Sequence, residues 1–314
     1  MSLLARLARR LVARATELLL LLVALSLLLF GLLQLAGDPA LALAGADADP
    51  ETVAAVRSAW RLDRPLPEQA LRFVERTLTL DFGTAIGSGQ NALAAVGDAL
   101  PATLGLAVLA ILLSIIVGVP LGAWIGQAPE RGPQRLVMEG VVLIQGTPGF
   151  VVALLLIQLF AVGLNLVPAI GQSGPSSWIL PVVSVALFLC PKLIRMVAGN
   201  VAAARSADWV RTARAGGAGE ADVLLRHILP NALIGAIALV GAQFAFLAGG
   251  LLVIETLFAW PGLGRLLLQA TLTLDYPIIQ AATVVITLLV AAVNALTDAL
   301  VAIVDPRVRR PAAA

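Results

Sequence analysis

Cys190, Lys192 and His227 are each the sole residue of their type in this sequence, which narrows the chemistry it can perform. A side-chain nucleophile needs a base within reach, and a zinc site needs three or four thiolate, imidazole or carboxylate ligands. One cysteine and one distant histidine supply neither. Cys190 therefore reads as a small inert hydrophobe, and His227, beside Arg226 at the edge of an apolar run, as a structural residue. No His-Glu-x-x-His run is present and no Gly-x-x-x-x-Gly-Lys-Ser/Thr phosphate loop, since Lys192 follows a proline instead of a glycine-rich turn. The chain is expected to be no enzyme, with no catalytic, cofactor-binding or metal-binding residues and no nucleic-acid partner. Two glutamines stand inside apolar stretches, Gln145 in "LIQGTPGF" and Gln243 in "VGAQFAF". They could face a polar passage or make hydrogen bonds that pack a helix bundle. Glu255 and Asp275 are expected in a loop, where an acid costs little, and Asn294 and Asp298 to cap or pair locally.

The most polar stretch of the second half is "DWVRTARAGGAGEADVLLRHILPN", Asp208 to Asn231, with three arginines, three acids and the histidine between two apolar walls. Ser206 can cap a helix whose first turn holds Asp208, the acid lying at the positive helix end. Trp209, Val210 and Ala213 fall on or beside one face, an apolar grip, while Arg211 and Arg214 share another at i and i+3. Gly216 to Gly219 stops the helix, because glycine enters left-handed conformations cheaply. A second helix from about Glu220 to Leu229 ends near Pro230, where the next apolar run begins. A charged loop that only solvates a membrane face would carry the same arginines. The tryptophan-bearing helix, the glycine turn and the boundary proline point instead to a docking surface.

The elements around this segment are set by solvent. With 60% apolar residues, 13% charged and a mean hydropathy of +0.96, the chain is an integral membrane protein. Crossing a hydrocarbon core takes about 20 helical residues. Six spans are expected: Ala15 to Ala36, about Leu100 to Ile125, Val137 to Val162, Ile179 to Val197, Ala232 to Leu252 and Ile278 to Val304. The first has the basic start of a secretion signal, but its apolar run is long and no small-residue cleavage site follows, so it reads as a retained anchor. Arg6, Arg9, Arg10 and Arg14, then Arg131 and Arg135, then Lys192, Arg195 and Arg205, then Arg307, Arg309 and Arg310 all fall on one face, the cytoplasmic one by the positive-inside rule. Both termini are then cytoplasmic. The organisation expected is a cytoplasmic N-terminus and first span over 1–36 and an extracytoplasmic amphipathic segment over 37–98. A five-span core over 99–304 follows, with its cytoplasmic loop at about 200–230, and then a cytoplasmic tail over 305–314. The 37–98 segment holds nine acids against five arginines, with Val53, Val56 and Trp60 at helical spacing and Leu66-Pro67-Glu68 opening a second helix.

A family resemblance rests on these residues. Asp208, Val210, "RTARA" from Arg211, Gly217, "VLLRH" from Val223 and Leu229-Pro230-Asn231-Ala232 resemble the cytoplasmic "EAA" loop of permease subunits in bacterial binding-protein-dependent ABC importers, most closely the dipeptide, oligopeptide and nickel subfamily. "GDPA" at Gly37, "LDRPLPEQALRF" at Leu62, "DFGTAI" at Asp81, "LPATLGLAVLAILLSIIVGVPLGAW" at Leu100, "ETLFAWPGLGRLLLQATLTLDYPIIQA" at Glu255 and "NALTDALVAIVDPRVR" at Asn294 extend it over nearly the whole chain. The resemblance implies an all-α, polytopic, six-span permease of the type I importer (MetI-like) fold in the bacterial inner membrane. It implies that Asp208, Trp209, Val210, Arg211, Ala213, Arg214 and Gly217 form a helix that docks in an ATPase and couples to it. Gly216 stands where the family usually has lysine, which removes one positive contact. The implied partners are a second homologous permease, two cytoplasmic ABC ATPases that use ATP and Mg, and an extracytoplasmic solute-binding protein. The implied cargo is dipeptides or oligopeptides, with nickel chelates, glycosides or other small solutes carried by the same architecture. An ion-coupled secondary transporter would need charges at mid-membrane and repeated halves, neither of which is clear in the sequence.

Overall fold

The computed structural model describes residues 3–45, 48–59 and 62–304. Trp60 and the tail arginines Arg307, Arg309 and Arg310 lie outside the described residues, as do the side chains of Arg6, Arg9 and Arg10. Among the described residues the regular elements are helices, joined by loops that hold one isolated bridge, Thr84 to Asn91. In order the helices are α1 (Leu3–Ala36), α2 (Pro39–Ala44), α3 (Pro50–Ala59), α4 (Leu66–Thr79), α5 (Ala92–Gln127), α6 (Gly132–Gly146), α7 (Gly149–Leu156), α8 (Ile179–Arg205), α9 (Asp208–Ala215), α10 (Glu220–Asp222), α11 (Leu229–Gly250), α12 (Leu252–Leu257), α13 (Leu263–Leu272) and α14 (Tyr276–Val304). Among the described residues five helices are long and apolar enough to cross a membrane, and a bent pair makes a sixth.

That pair corrects the expected third span. Val137 to Val162 is not one helix: α6 and α7 meet at 102°. The cause is local. A residue before proline is pushed out of the helical region, and Thr147, before Pro148, is extended at φ −89°, ψ 131°. α7 then runs on as a π-helix over Ile157–Gly163.

The chain divides into two compact units. The first comprises residues 1–101 with 265–291. Here α4 packs along α1: Ser26 donates to Thr77 Oγ1 at 2.7 Å, and the rings of Phe30 and Phe73 are 5.9 Å apart. Gln280 Nε2 on α14 joins them, donating to the Phe73 carbonyl at 2.8 Å and to Thr77 at 2.9 Å. Polar side chains that meet in this way satisfy one another where water is scarce. Asp275 lies in the loop before α14 as expected, but it is buried. Its carboxylate accepts from the backbone of Ile86 at 2.8 Å and Gly87 at 3.2 Å, pinning the turn after Phe82 to the start of α14.

The second unit comprises residues 102–264 with 292–314. Its α5 and α8 approach closely through Gly118, Gly122 and Gly126, three glycines four residues apart on one face of α5. A methyl group at Gly122 would stand 2.8 Å from the Ile194 carbonyl, and one at Gly126 2.6 Å from the Ala198 carbonyl. Small residues at this spacing let helix backbones pack in lipid, where packing, not hydrophobic exclusion, holds spans together. Gly126→Val is expected to lower the apparent melting temperature of the purified protein, a cost of about 1–3 kcal/mol for overpacking. Gly140→Val, whose site has no atom within 4 Å, should leave it nearly unchanged.

Candidate functional site

α9 lies between two membrane spans and belongs to neither. Its start differs from expectation. Ser206 does not cap it; its hydroxyl bonds back to the Ala203 carbonyl at 3.0 Å and closes α8, while Ala207 takes the cap position with no side-chain bond. Asp208 sits in the first turn as expected, and Arg211 Nη1 approaches it at 3.4 Å. The end of α9 is a complete glycine stop. Gly217 has φ 87°, its N–H bonds to the Arg214 carbonyl at 3.0 Å, and the Ala218 N–H bonds to Ala213 at 3.2 Å. These are the two bonds of a Schellman motif, and Ala213 and Ala218 supply its apolar contact.

The predicted apolar grip divides in two. Val210 is fully buried and packs with Val197, Val201, Val223, Ile228 and Ala232, so it anchors α9 to α8 and the root of α11 and cannot touch a partner. The physical reason is the helix period: Val210 and Ala213, three residues apart, point together at the core. Trp209, one position away, is left 42% exposed. Arg214 is half-buried and folds back onto its own segment. Its guanidinium grips Glu220 with two bonds, 2.7 and 3.2 Å, and reaches the Arg205 carbonyl at 3.5 Å, while Arg205 Nη1 is 3.8 Å from Glu220. The two hydrogen bonds to Glu220 hold the Arg214 guanidinium above its ordinary pKa, more than offsetting partial desolvation. The outward face is thus Asp208, Trp209, Arg211 and Thr212.

The expected helix end at Pro230 is absent. α10 continues through a π turn, Val223–Ile228, directly into α11, with Pro230 in its first turn. Proline offers no N–H and crowds the carbonyl four residues back, and widening the turn ahead of it relieves that conflict. Asn231 Nδ2 supplies a donor there, to the His227 carbonyl at 2.9 Å. Residues 220 to 247 therefore form one apolar run long enough to span. Asn200 Nδ2 on α8 donates to the Ala232 carbonyl at 2.9 Å and ties α8 to the start of α11.

The other candidates are dispersed. Gln145 is exposed at the end of α6 and accepts from Arg195 Nη1 at 2.9 Å. Gln243 on α11 lines a recess of about 10 Å³ with Ile111, Ser114 and Leu189, at the lower limit of room for one water. Cys190 is buried against α5 with its Sγ 3.9 Å from the Ser114 carbonyl. His227 is half-buried in the π turn. Glu255, expected in a loop, is wholly buried in α12. Thr103 donates to it at 2.5 Å and accepts from the Leu263 N–H at 2.8 Å, while Trp260 Nε1 donates to the Ala102 carbonyl at 3.1 Å. The spacing of Gly118, Gly122 and Gly126 was a legible signal for the α5–α8 contact that the sequence reading passed over.

Five long apolar helices and one bent pair are those of a multi-pass membrane protein, with α9 held between two of its spans. The chain belongs to the family of binding-protein-dependent transport system inner membrane components: the family model matches residues 118–310 and the model of its N-terminal domain matches residues 4–107. It is similar to the glutathione transport system permease protein GsiC of Salmonella paratyphi A (strain ATCC 9150 / SARB42), 36% identical over 275 residues, 88% of this chain and 90% of that one. The GsiC protein of Escherichia coli (strain K12) is 34% identical over the same share. In fold it resembles inward-facing structures of the MetNI methionine ABC transporter, with TM-scores of 0.57 and 0.55 at 19% and 20% identity, covering 67% of this chain and 96% of each. The chain is a permease subunit of an ABC importer, a multi-pass inner-membrane protein, and ATP hydrolysis falls to other subunits.

Burial separates the anchor of α9 from its outward face. Val210→Ala is expected to cost about 2 kcal/mol by removing two buried methyl groups. Trp209→Ala, at an exposed position, should stay within about 0.5 kcal/mol. Chemical or thermal unfolding of the purified chain checks both.

Proposed function

We propose that this chain forms, with a second homologous permease, the pathway by which small peptides delivered by an extracytoplasmic binding protein enter the cell, and that α9 is the helix through which two cytoplasmic ATPases drive it. The observation that carries the reading is the geometry of α9. It is exposed through Asp208, Trp209 and Arg211, and fastened through Val210, Arg214 and the Gly217 turn to both α8 and α11. An exposed aromatic at the centre of a small charged face is the usual energetic anchor of a docking patch, with rim charges setting orientation. A push on α9 is delivered to two spans at once. Small peptides are favoured because the GsiC relatives are named for glutathione, a tripeptide. With α9 on the cytoplasmic side, both termini are cytoplasmic and the 37–98 segment faces the binding protein.

In proteoliposomes carrying the assembled complex, Trp209→Ala and Gly217→Val are expected to cut solute-stimulated ATP turnover and uptake together. Gly217→Val has open space for its side chain, so its effect comes from the positive φ alone, a strain of about 1–2 kcal/mol. Gly219→Ala, at an ordinary φ of −68°, should behave as the unmodified chain. Normal coupled transport per complex in both Trp209→Ala and Gly217→Val would reduce α9 to a solvated connector. The purified chain alone should turn over no ATP.

A further inference from the structure

The one lysine of the chain sits midway along α8, between Ile179 and Arg205, inside a candidate membrane span that runs from Pro175 to Arg205. Lys192 falls within the expected span Ile179 to Val197 and also among the charges expected to flank the polar segment; because the helix continues two turns past Val197, the lysine lies near its middle. A charge at that depth is expensive and is kept where it has work to do. The Lys192 ammonium lies 3.9 Å from the centroid of the Phe188 ring and 5.9 Å from that of Phe246, and the two rings stack at 5.9 Å. Aromatic faces hold a cation without neutralising it. No carboxylate among the described residues forms an ion pair with Lys192.

The ammonium borders a notch of about 20 Å³ where the α6–α7 break meets α8, lined by Gln145, Thr147, Leu187, Phe188 and Lys192 among others. Arg195, one turn along α8, reaches Gln145 across the same junction. A guanidinium has five N–H donors, an ammonium three and an amide two, and neither cation can accept. Such a set is complemented by an anion, and a carboxylate, which accepts on both oxygens, is bound strongly by charged donors. The notch has room for one small group of roughly the size of a water, not for a whole solute. The bend at Thr147–Pro148 keeps it open by turning α7 away from the line of α6.

We infer that Lys192, with Arg195 and Gln145, is a carboxylate-recognition notch on the translocation path that engages the C-terminal carboxylate of the peptide in transit. This rests on the peptide-import reading above. A lipid headgroup is the other mobile source of an anion, and the mid-helix position of Lys192 favours the solute over it.

The test uses the complete complex in phosphatidylcholine vesicles, with and without phosphatidylglycerol, and follows uptake of glutathione and of its glycine-amide derivative. Lys192→Gln is expected to lower glutathione uptake per assembled complex about tenfold, the loss of one charged contact worth ~1.4 kcal/mol. Lys192→Arg should restore most of it, and Arg135→Gln, an exposed pair partner of Glu139, should change nothing. The amide should be taken up poorly by the unmodified complex and be insensitive to Lys192→Gln. Equal loss for both solute forms, loss confined to vesicles with phosphatidylglycerol, or failure of the second permease to co-purify would overturn the inference, assigning Lys192 respectively to packing, to lipid or to the subunit interface. Uptake by the unmodified complex of a carboxylate solute other than a peptide, abolished by Lys192→Gln, would end the peptide reading and keep the notch.

Discussion

Val210 in its pocket is the contact on which the rest of the arrangement depends. α9 is only eight residues long, too short to hold its shape in water without tertiary support. Burial of one branched side chain among Val197, Val201, Val223 and Ile228 supplies that support and joins the end of α8 to the root of α11. The arginine–carboxylate contacts beside it are largely solvent-exposed, and exposed pairs contribute little to stability. Their value is directional. Two parallel bonds from Arg214 to Glu220 fix the angle at which the chain reverses through Gly217, and a fixed angle is what the proposed coupling of Trp209 to α11 requires.

The membrane spans beside α9 are also held closely. The glycine face of α5 brings its backbone against α8, and Asn200 bonds α8 to α11, so these three helices have little freedom to slide independently. The unbroken run from Glu220 into α11 removes the hinge that a helix end at Pro230 would have provided. By contrast the α6–α7 break is irregular, with Gln145 exposed at the end of α6 and Lys192 of α8 lining the same small notch. Irregular backbone is tolerated in a membrane where it lines a cavity or is covered by protein.

Much of this was legible in the sequence. Composition and apolar run length gave the spans, and the spacing of Asp208 to Asn231 gave a short helix, a glycine stop at Gly217 and a second helix. The errors share a physical origin, which is that local pattern does not reveal which face of an element meets a neighbour. Val210 and Trp209 look equally suited to a docking patch until the positions of α8 and α11 decide that one is inside. Asp275 and Glu255 look like exposed acids because their partners, Ile86 and Thr103, are more than 150 residues away in the chain. Hydropathy averages spread one proline over a window, so the 102° turn at Pro148 and the π turn before Pro230 were both invisible to it, in opposite senses.

The central claim is that α9 and α11 move as one body. Spin labels at Thr212 and Ala242, both exposed, would report on it directly in the Cys190→Ala background of the assembled complex. The account predicts one narrow distance distribution between them, the same in the nucleotide-free and ATP-trapped states. A distance that changes with nucleotide, with α9 shifting while α11 stays in place, would contradict it.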